Sequence, residues 1–385
     1  MSKHQQRIQQ ALQNIENNDI SLGFRKLLDC ATDTQSMEIY NQAIALTDWK
    51  ENNPTNTNEF VERAKTLLAN IEKHSVNEVD TQQAVLVAKD IQKQYGLGSF
   101  VLGPISVEIK KGQVYGLVGE NGNGKTTLLR ILANDLSFNI GTLEYNFREN
   151  SKNEYDLKTK LVYIPQRTAK WYGSLKENLK FVLANYGIPP KENETRTLMM
   201  IARLGLWKYK DLKWSELSSG YKMRFELART LLRKPELLLL DEPLGNLDVM
   251  AQQIILEDLK MIANSVNNPI ALILSSQQLY EVEKISDKVI FLKNGKYTDN
   301  SSQSKQESTD NPLIVEIDTT NSREELISAF ASLPLEKLNY NGGIYIAYFQ
   351  TNTDLSEVLS NLGKSKISIT YLRNISSSTR RFFVN

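Results

Sequence analysis

Apolar residues near the start of the chain recur at three- and four-residue spacing: Ile8, Leu12 and Ile15, then Phe60, Ala64, Leu67, Leu68 and Ile71. That period lays them along one face of a helix. Shorter helix-like stretches fall between them at 24–28 and 39–46, while Asn-Asn-Pro-Thr-Asn-Thr-Asn at 52–58 breaks the pattern as a turn does. Residues 1–82 are therefore expected to be an all-α N-terminal region, a small bundle or a hairpin. From Ala84 to about Lys296 the pattern changes to short apolar runs alternating with helical segments. The runs at 114–118, 237–240 and 270–274 are typical of parallel strands buried on both faces. This predicts an α/β domain over 84–297.

The stretch 298–311 is polar and nearly free of apolar side chains, which predicts a solvated linker. Beyond it, 313–317 reads as a strand. Ser322 and Glu325 form a capping-box pattern ahead of Leu326, Ile327 and Phe330. Two strands then meet at Asn341-Gly342, a helix follows at 354–362, and a last strand lies near 367–372. The order β-α-β-β-α-β predicts a ferredoxin-like α+β domain over 312–385.

Composition narrows the function. With 46 basic and 45 acidic residues the net charge is +1, so no basic surplus points to bulk nucleic-acid binding. The single cysteine, Cys30, cannot form an intrachain disulfide and is expected to be a buried structural thiol. Two histidines, His4 and His74, argue against a histidine-rich metal site or a histidine-based triad. No segment approaches the roughly 20 apolar residues that a membrane span requires, and the polar N-terminus does not read as a signal peptide.

The chemistry is concentrated in a few short runs. Gly119-Glu120-Asn121-Gly122-Asn123-Gly124-Lys125-Thr126 fits the P-loop pattern between a strand ending at Val118 and a helix starting near Thr126. The glycines let successive backbone N–H groups curl around a β-phosphate, and the helix N-terminus adds its partial positive charge. Lys125 would reach the β- and γ-oxygens, with the Thr126 hydroxyl on Mg²⁺ and Thr127 beside it. Four leucines at 237–240 then deliver Asp241 and Glu242 to the C-terminal edge of a strand, where ligands bind in open α/β sheets. An acidic pair after a strand is commonly a solvated turn. Coupled to a P-loop, it reads as a Mg²⁺ ligand, Asp241, and a general base, Glu242.

Between these motifs stands Leu217-Ser218-Ser219-Gly220-Tyr221, followed by Arg224, Ala228 and Arg229. This resembles the Leu-Ser-Gly-Gly-Gln signature of ATP-binding cassette proteins, and the resemblance extends over about 84–296. Tyr95 resembles the aromatic that stacks on adenine. Gln166, in Tyr163-Ile164-Pro165-Gln166, resembles the glutamine that ligates Mg²⁺ and senses the γ-phosphate. Gly245-Asn246-Leu247-Asp248 resembles the D-loop. The resemblance implies a cassette fold with a helical subdomain between Gln166 and the signature. It also implies ATP and Mg²⁺ as cofactors, and a head-to-tail dimer in which Ser218 and Gly220 face the ATP of the second subunit.

Ser219 and Tyr221 depart from the common signature. The larger departure is Gln277, which stands where the family carries a switch histidine. A glutamine can donate a hydrogen bond to the γ-phosphate but cannot become cationic. The expectation is an ATPase that binds and closes on ATP yet turns it over slowly. A standalone cassette with a C-terminal appendage resembles the motor subunits of exporters, whose permease is a separate polypeptide. That implies a cytoplasmic protein, peripheral on the inner face of the membrane. The alternative is a non-transport ATPase that moves soluble partners through its terminal domains.

Overall fold

The computed structural model describes the chain except residues 82, 97, 99, 148–153, 278, 299–311, 342, 351 and 377–385. The expected linker and Gly342 of the expected hairpin thus lie almost wholly outside the described residues. The chain divides into two compact units, Met1–Thr298 and Asp299–Asn385. Four helices open the first: α1 (Lys3–Glu16), α2 (Ile20–Asp33), α3 (Met37–Asn52) and α4 (Thr57–Glu72). Each starts on a side chain that satisfies an otherwise orphaned N–H: Ser2, Asp19, Ser36 and Asn56 accept from Gln5, Leu22, Ile39 and Glu59.

Next come β1 (Ala84–Gln94), β2 (Val101–Lys110), β3 (Val114–Val118), α5 (Lys125–Leu132), β4 (Ile140–Tyr145), α6 (Glu154–Lys160) and β5 (Leu161–Ile164). A helical lobe follows: α7 (Leu175–Asn185), α8 (Pro190–Arg203) and α9 (Ser219–Leu231). The chain then returns through β6 (Leu237–Leu240), α10 (Val249–Ala263), β7 (Ala271–Ser276), α11 (Leu279–Ile285), β8 (Lys288–Lys293) and β9 (Lys296–Thr298). The main sheet has the order β5-β6-β7-β3-β8-β9, parallel except for β9. A smaller antiparallel sheet, β2-β1-β4, completes the sheet lobe. All five residues of β3 and all four of β6 are buried. At about 2 kcal/mol for each leucine kept from water, β6 is anchored inside the sheet between β5 and β7. Because β5, β6, β7 and β3 are parallel, their C-terminal ends open onto one edge.

The N-terminal helices do not stand apart from this α/β body. Leu27, Ala43, Phe60 and Ile71 share one apolar core with Val114 of β3, Leu238 of β6, Met200 of α8 and Leu259 of α10. Cys30 sits in that core at 0% exposure, and burial pushes its thiol up to about 12. A native-state thiol probe at pH 8 should therefore label Cys30 only as fast as this unit opens, with full labelling in denaturant. Rapid labelling of the folded chain would contradict the packing.

The second unit contains β10 (Leu313–Thr319), α12 (Arg323–Ala329), β11 (Leu335–Asn341), β12 (Ile344–Phe349), α13 (Leu355–Lys364) and β13 (Ile369–Asn374). Its sheet is antiparallel with the order β11-β12-β10-β13. Leu326, Phe330, Val358 and Leu362 pack on the strand residues Val315, Ile317, Ala347 and Phe349. The capping box of Ser322 and Glu325 is present at α12.

Candidate functional site

The sheet edge assembles the site. β3 ends at Val118 and α5 begins at Lys125, leaving Gly119–Gly124 as the intervening loop. Gly124 has φ of +97°, and a Cβ there would lie 2.7 Å from Leu102 Cδ1, so a larger residue would shift the loop. Gly119 is closer still, since its Cβ would meet the Leu292 carbonyl oxygen at 2.4 Å. Asn123 Oδ1 accepts from the Asn294 backbone N–H at 3.0 Å and ties the loop to the turn after β8.

Lys125 is 5% exposed and folds back over this loop. Its Nζ donates to the carbonyls of Gly119 at 2.7 Å and Glu120 at 3.2 Å, and lies 3.8 Å from Glu242. Burial lowers the Lys125 ammonium, while Glu242 and Asp241 pull it back up. An ammonium held on carbonyl oxygens at a helix N-terminus is poised to exchange them for phosphate oxygens. Tyr95 is 46% exposed, and its hydroxyl lies 3.3 Å from Thr127 Oγ1. An aromatic face is thus left beside the start of α5.

Asp241 and Glu242 follow β6 directly and face different neighbours. Asp241 is 4% exposed and accepts from Thr126 Oγ1 at 2.8 Å, Ser275 Oγ at 2.7 Å and Tyr163 OH at 3.2 Å. A carboxylate joined to a P-loop threonine hydroxyl is a hard-oxygen donor set that fits Mg²⁺. Glu242 adopts φ of +48°, a left-handed conformation rare for this residue type, and its N–H donates to Ser275 Oγ at 2.8 Å. Its carboxylate accepts from Gln166 Nε2 at 2.9 Å and from Gln277 Nε2 at 2.9 and 3.1 Å. A cavity of about 190 Å³, lined by Glu242, Leu244, Gly245, Ser276 and Gln277, opens beside it. Two amide donors thus aim one carboxylate at a space large enough for water and a phosphoryl group.

The structure brings Lys125, Thr126, Asp241, Glu242, Gln166 and Gln277 together at this edge, with Tyr95 and Thr127 flanking it. Ser218 and Gly220 lie elsewhere. Ser218 caps α9, and Gly220 faces Ala251 and Leu247, whose atoms are 3.5 and 4.0 Å from where its Cβ would be. Asp248 caps α10 by accepting from Ala251 N–H at 2.9 Å. Tyr163 and Ser275 were not among the expected site residues. The Ser275 hydroxyl fixes both acidic residues and that of Tyr163 fixes Asp241, and only their places within the strands leading to Gln166 and Gln277 hint at it.

The family model described as ABC transporter matches residues 102–245. The chain is 31% identical over 213 residues to the linearmycin resistance ATP-binding protein LnrL of Bacillus subtilis, covering 55% of this chain and 67% of that protein. It is 32% identical over 195 residues to the glucosylceramide transporter ABCA12 of Homo sapiens, covering 50% of this chain but spanning only 7% of that relative. Among solved structures, cbiO1 from Clostridium perfringens, part of the ABC transporter complex cbiONQ, shares the fold with a TM-score of 0.52. It is 24% identical, and the match covers 59% of this chain and 92% of cbiO1. On its motifs, its sheet-edge site and these matches, the chain belongs to the ATP-binding proteins of the ABC transporter family.

Proposed function

We propose that this chain is the ATP-hydrolysing motor subunit of an ABC transporter, of exporter type, working with a separately encoded membrane subunit. The convergence of Lys125, Thr126, Asp241, Gln166, Glu242 and Gln277 on one sheet edge carries this reading. The P-loop, from Gly119 through Asn121, Gly122, Asn123 and Gly124, cradles the phosphates through its N–H groups, and Lys125 holds the β- and γ-oxygens. Tyr95 stacks on the adenine. Thr126, Asp241 and Gln166 would hold Mg²⁺, which offsets phosphate charge when bound. Glu242 takes a proton from water as the water oxygen attacks the γ-phosphorus. The bond to the bridging oxygen breaks, and ADP leaves with phosphate.

Among the described residues no helix is long and apolar enough to cross a membrane. In this reading a partner supplies the membrane path, with this subunit on the cytoplasmic face. Ser218 and Gly220 complete the ATP site of a second copy in a head-to-tail pair. The strand order β11-β12-β10-β13 and the β-α-β-β-α-β sequence of elements support reading the C-terminal unit as ferredoxin-like. Copurification of a multi-span membrane protein with the tagged chain tests the transport assignment, and purely soluble partners would overturn it.

Gln277 sets the rate in this scheme. Its amide is a neutral donor spanning both oxygens of Glu242, and a histidine could take and return a proton there. Gln277→His should raise steady-state ATP turnover roughly five- to tenfold, about 1 kcal/mol of barrier for a donor that can become cationic beside the same anions. Equal turnover of the two proteins would refute the role of Gln277.

A further inference from the structure

We propose that helix α2 is a brace that positions the signature helix against the P-loop lobe, with Arg25 as its positioning residue; this rests on the ATPase reading above. Two side chains one turn apart on α2 reach the two lobes. Asp29, 3% exposed at its side chain, pairs with Arg203 of α8 in the helical lobe. Arg25 reaches α10 in the sheet lobe, donating to Asp258 Oδ1 at 3.0 Å and the Ile254 carbonyl at 3.4 Å and pairing with Glu257. Asp258 is itself 3% exposed, and its other oxygen lies 4.0 Å from Arg224 Nε of α9, four residues after Gly220. One buried carboxylate on the helix that follows the D-loop is therefore faced by two guanidiniums. One belongs to the signature helix and the other to the N-terminal helices.

Further bonds tie the N-terminal helices to both sides. On the helical lobe, Trp207 Nε1 donates to Asp48 at 3.3 Å and Thr195 Oγ1 lies 3.3 Å from Asn41 Oδ1. On the sheet lobe, Ser265 Oγ donates to Asp33 at 2.6 Å and Arg7 to the Asn264 carbonyl at 3.2 Å, and in the connector after α4 the Val79 N–H donates to the Val266 carbonyl at 3.1 Å.

In a head-to-tail pair, each ATP takes its P-loop from one chain and its signature from the other. Both sites close together only when the offset between P-loop and signature within each chain matches the offset across the pair. That offset is set by the angle between the lobes, and α2 is fastened to both. Buried pairs suit this task, because parting one of them strands a charge away from water, whereas an exposed pair yields cheaply.

The test uses the full chain with Arg25→Met, Arg25→Lys, Glu257→Gln and a control, Lys65→Ala. Lys65 pairs with Glu16 at 3.4 Å on the exposed side of the same helices. ATP hydrolysis is measured against protein concentration, and binding of a fluorescent ATP analogue is measured on dilute protein. Arg25→Met should lower kcat by about tenfold or more and raise the protein concentration at half-maximal rate. It should leave analogue Kd within about twofold, since the P-loop is not touched. Arg25→Lys should recover most of the rate, Glu257→Gln should shift both quantities in the same direction by less, and Lys65→Ala should behave as wild type. Wild-type kcat and concentration dependence in both Arg25→Met and Glu257→Gln would overturn the brace. So would a parallel loss of analogue binding that lysine fails to rescue. If Arg25→Met does not fold, Glu257→Gln decides alone. A wild-type chain that neither binds nor hydrolyses ATP would instead refute the ATPase reading, a separate outcome.

Discussion

Glu242→Gln should lower ATP turnover by about 10²–10⁴-fold, the range set by loss of a general base, while ATP affinity stays within a few-fold. The carboxylate faces a cavity of about 190 Å³ and is aimed by the amides of Gln166 and Gln277. A carboxamide keeps the volume and accepts at one atom, but it cannot take the proton that water must lose. The backbone at Glu242, left-handed with φ of +48°, is held by the N–H bond to Ser275 and does not depend on the side-chain charge. In the proposed site, binding rests on different groups, Lys125 and the P-loop N–H donors, so it should survive. The variant should accumulate as an ATP-bound pair, since closure proceeds and opening after hydrolysis does not. Steady-state hydrolysis, analogue binding and size-exclusion chromatography with ATP measure the three consequences. Turnover within tenfold of wild type would remove Glu242 from the chemistry.

The convergence of the candidate site was legible in the sequence because its parts are contiguous runs. A glycine-spaced loop, four leucines ahead of an acidic pair and a glutamine after an apolar strand each carry their own local reason. Parallel strand pairing then brings their ends to one edge without any long-range choice of partner. The β-α-β-β-α-β order after the polar stretch was legible for the same reason, through local caps and alternation. What joins distant segments was not. Tyr163 and Asp241 are 78 residues apart, Asp29 and Arg203 174, and Arg25 and Asp258 233. Helical periodicity showed that Phe60, Leu67 and Ile71 needed cover but not what covers them. The core shared with β3, β6, α8 and α10 is the answer. Nor could charge counts show it, because Asp29, Asp33 and Asp258 read as ordinary solvated acids until a guanidinium from elsewhere is placed beside them.

Asp29→Ala should destabilise the Met1–Thr298 unit by about 3–5 kcal/mol, the usual result of removing one partner of a buried pair. Arg203 is 8% exposed and pairs with Asp29 through both Nε and Nη2. Arg7 is less affected, because it also pairs with Asp33 at 2.6 Å. The loss is therefore dominated by one stranded guanidinium, not by the pair's attraction. Arg203→Met fills similar volume without charge, so the double variant Asp29→Ala with Arg203→Met should recover most of the stability. For a unit of this length the single variant should lower Tm by about 5 °C or more, with the second variant restoring it. The C-terminal unit serves as an internal reference, since its own core contains neither residue. If the two substitutions instead destabilise additively, Asp29 acts through other contacts, and the charge pairing that fastens α2 to the helical lobe loses its energetic basis.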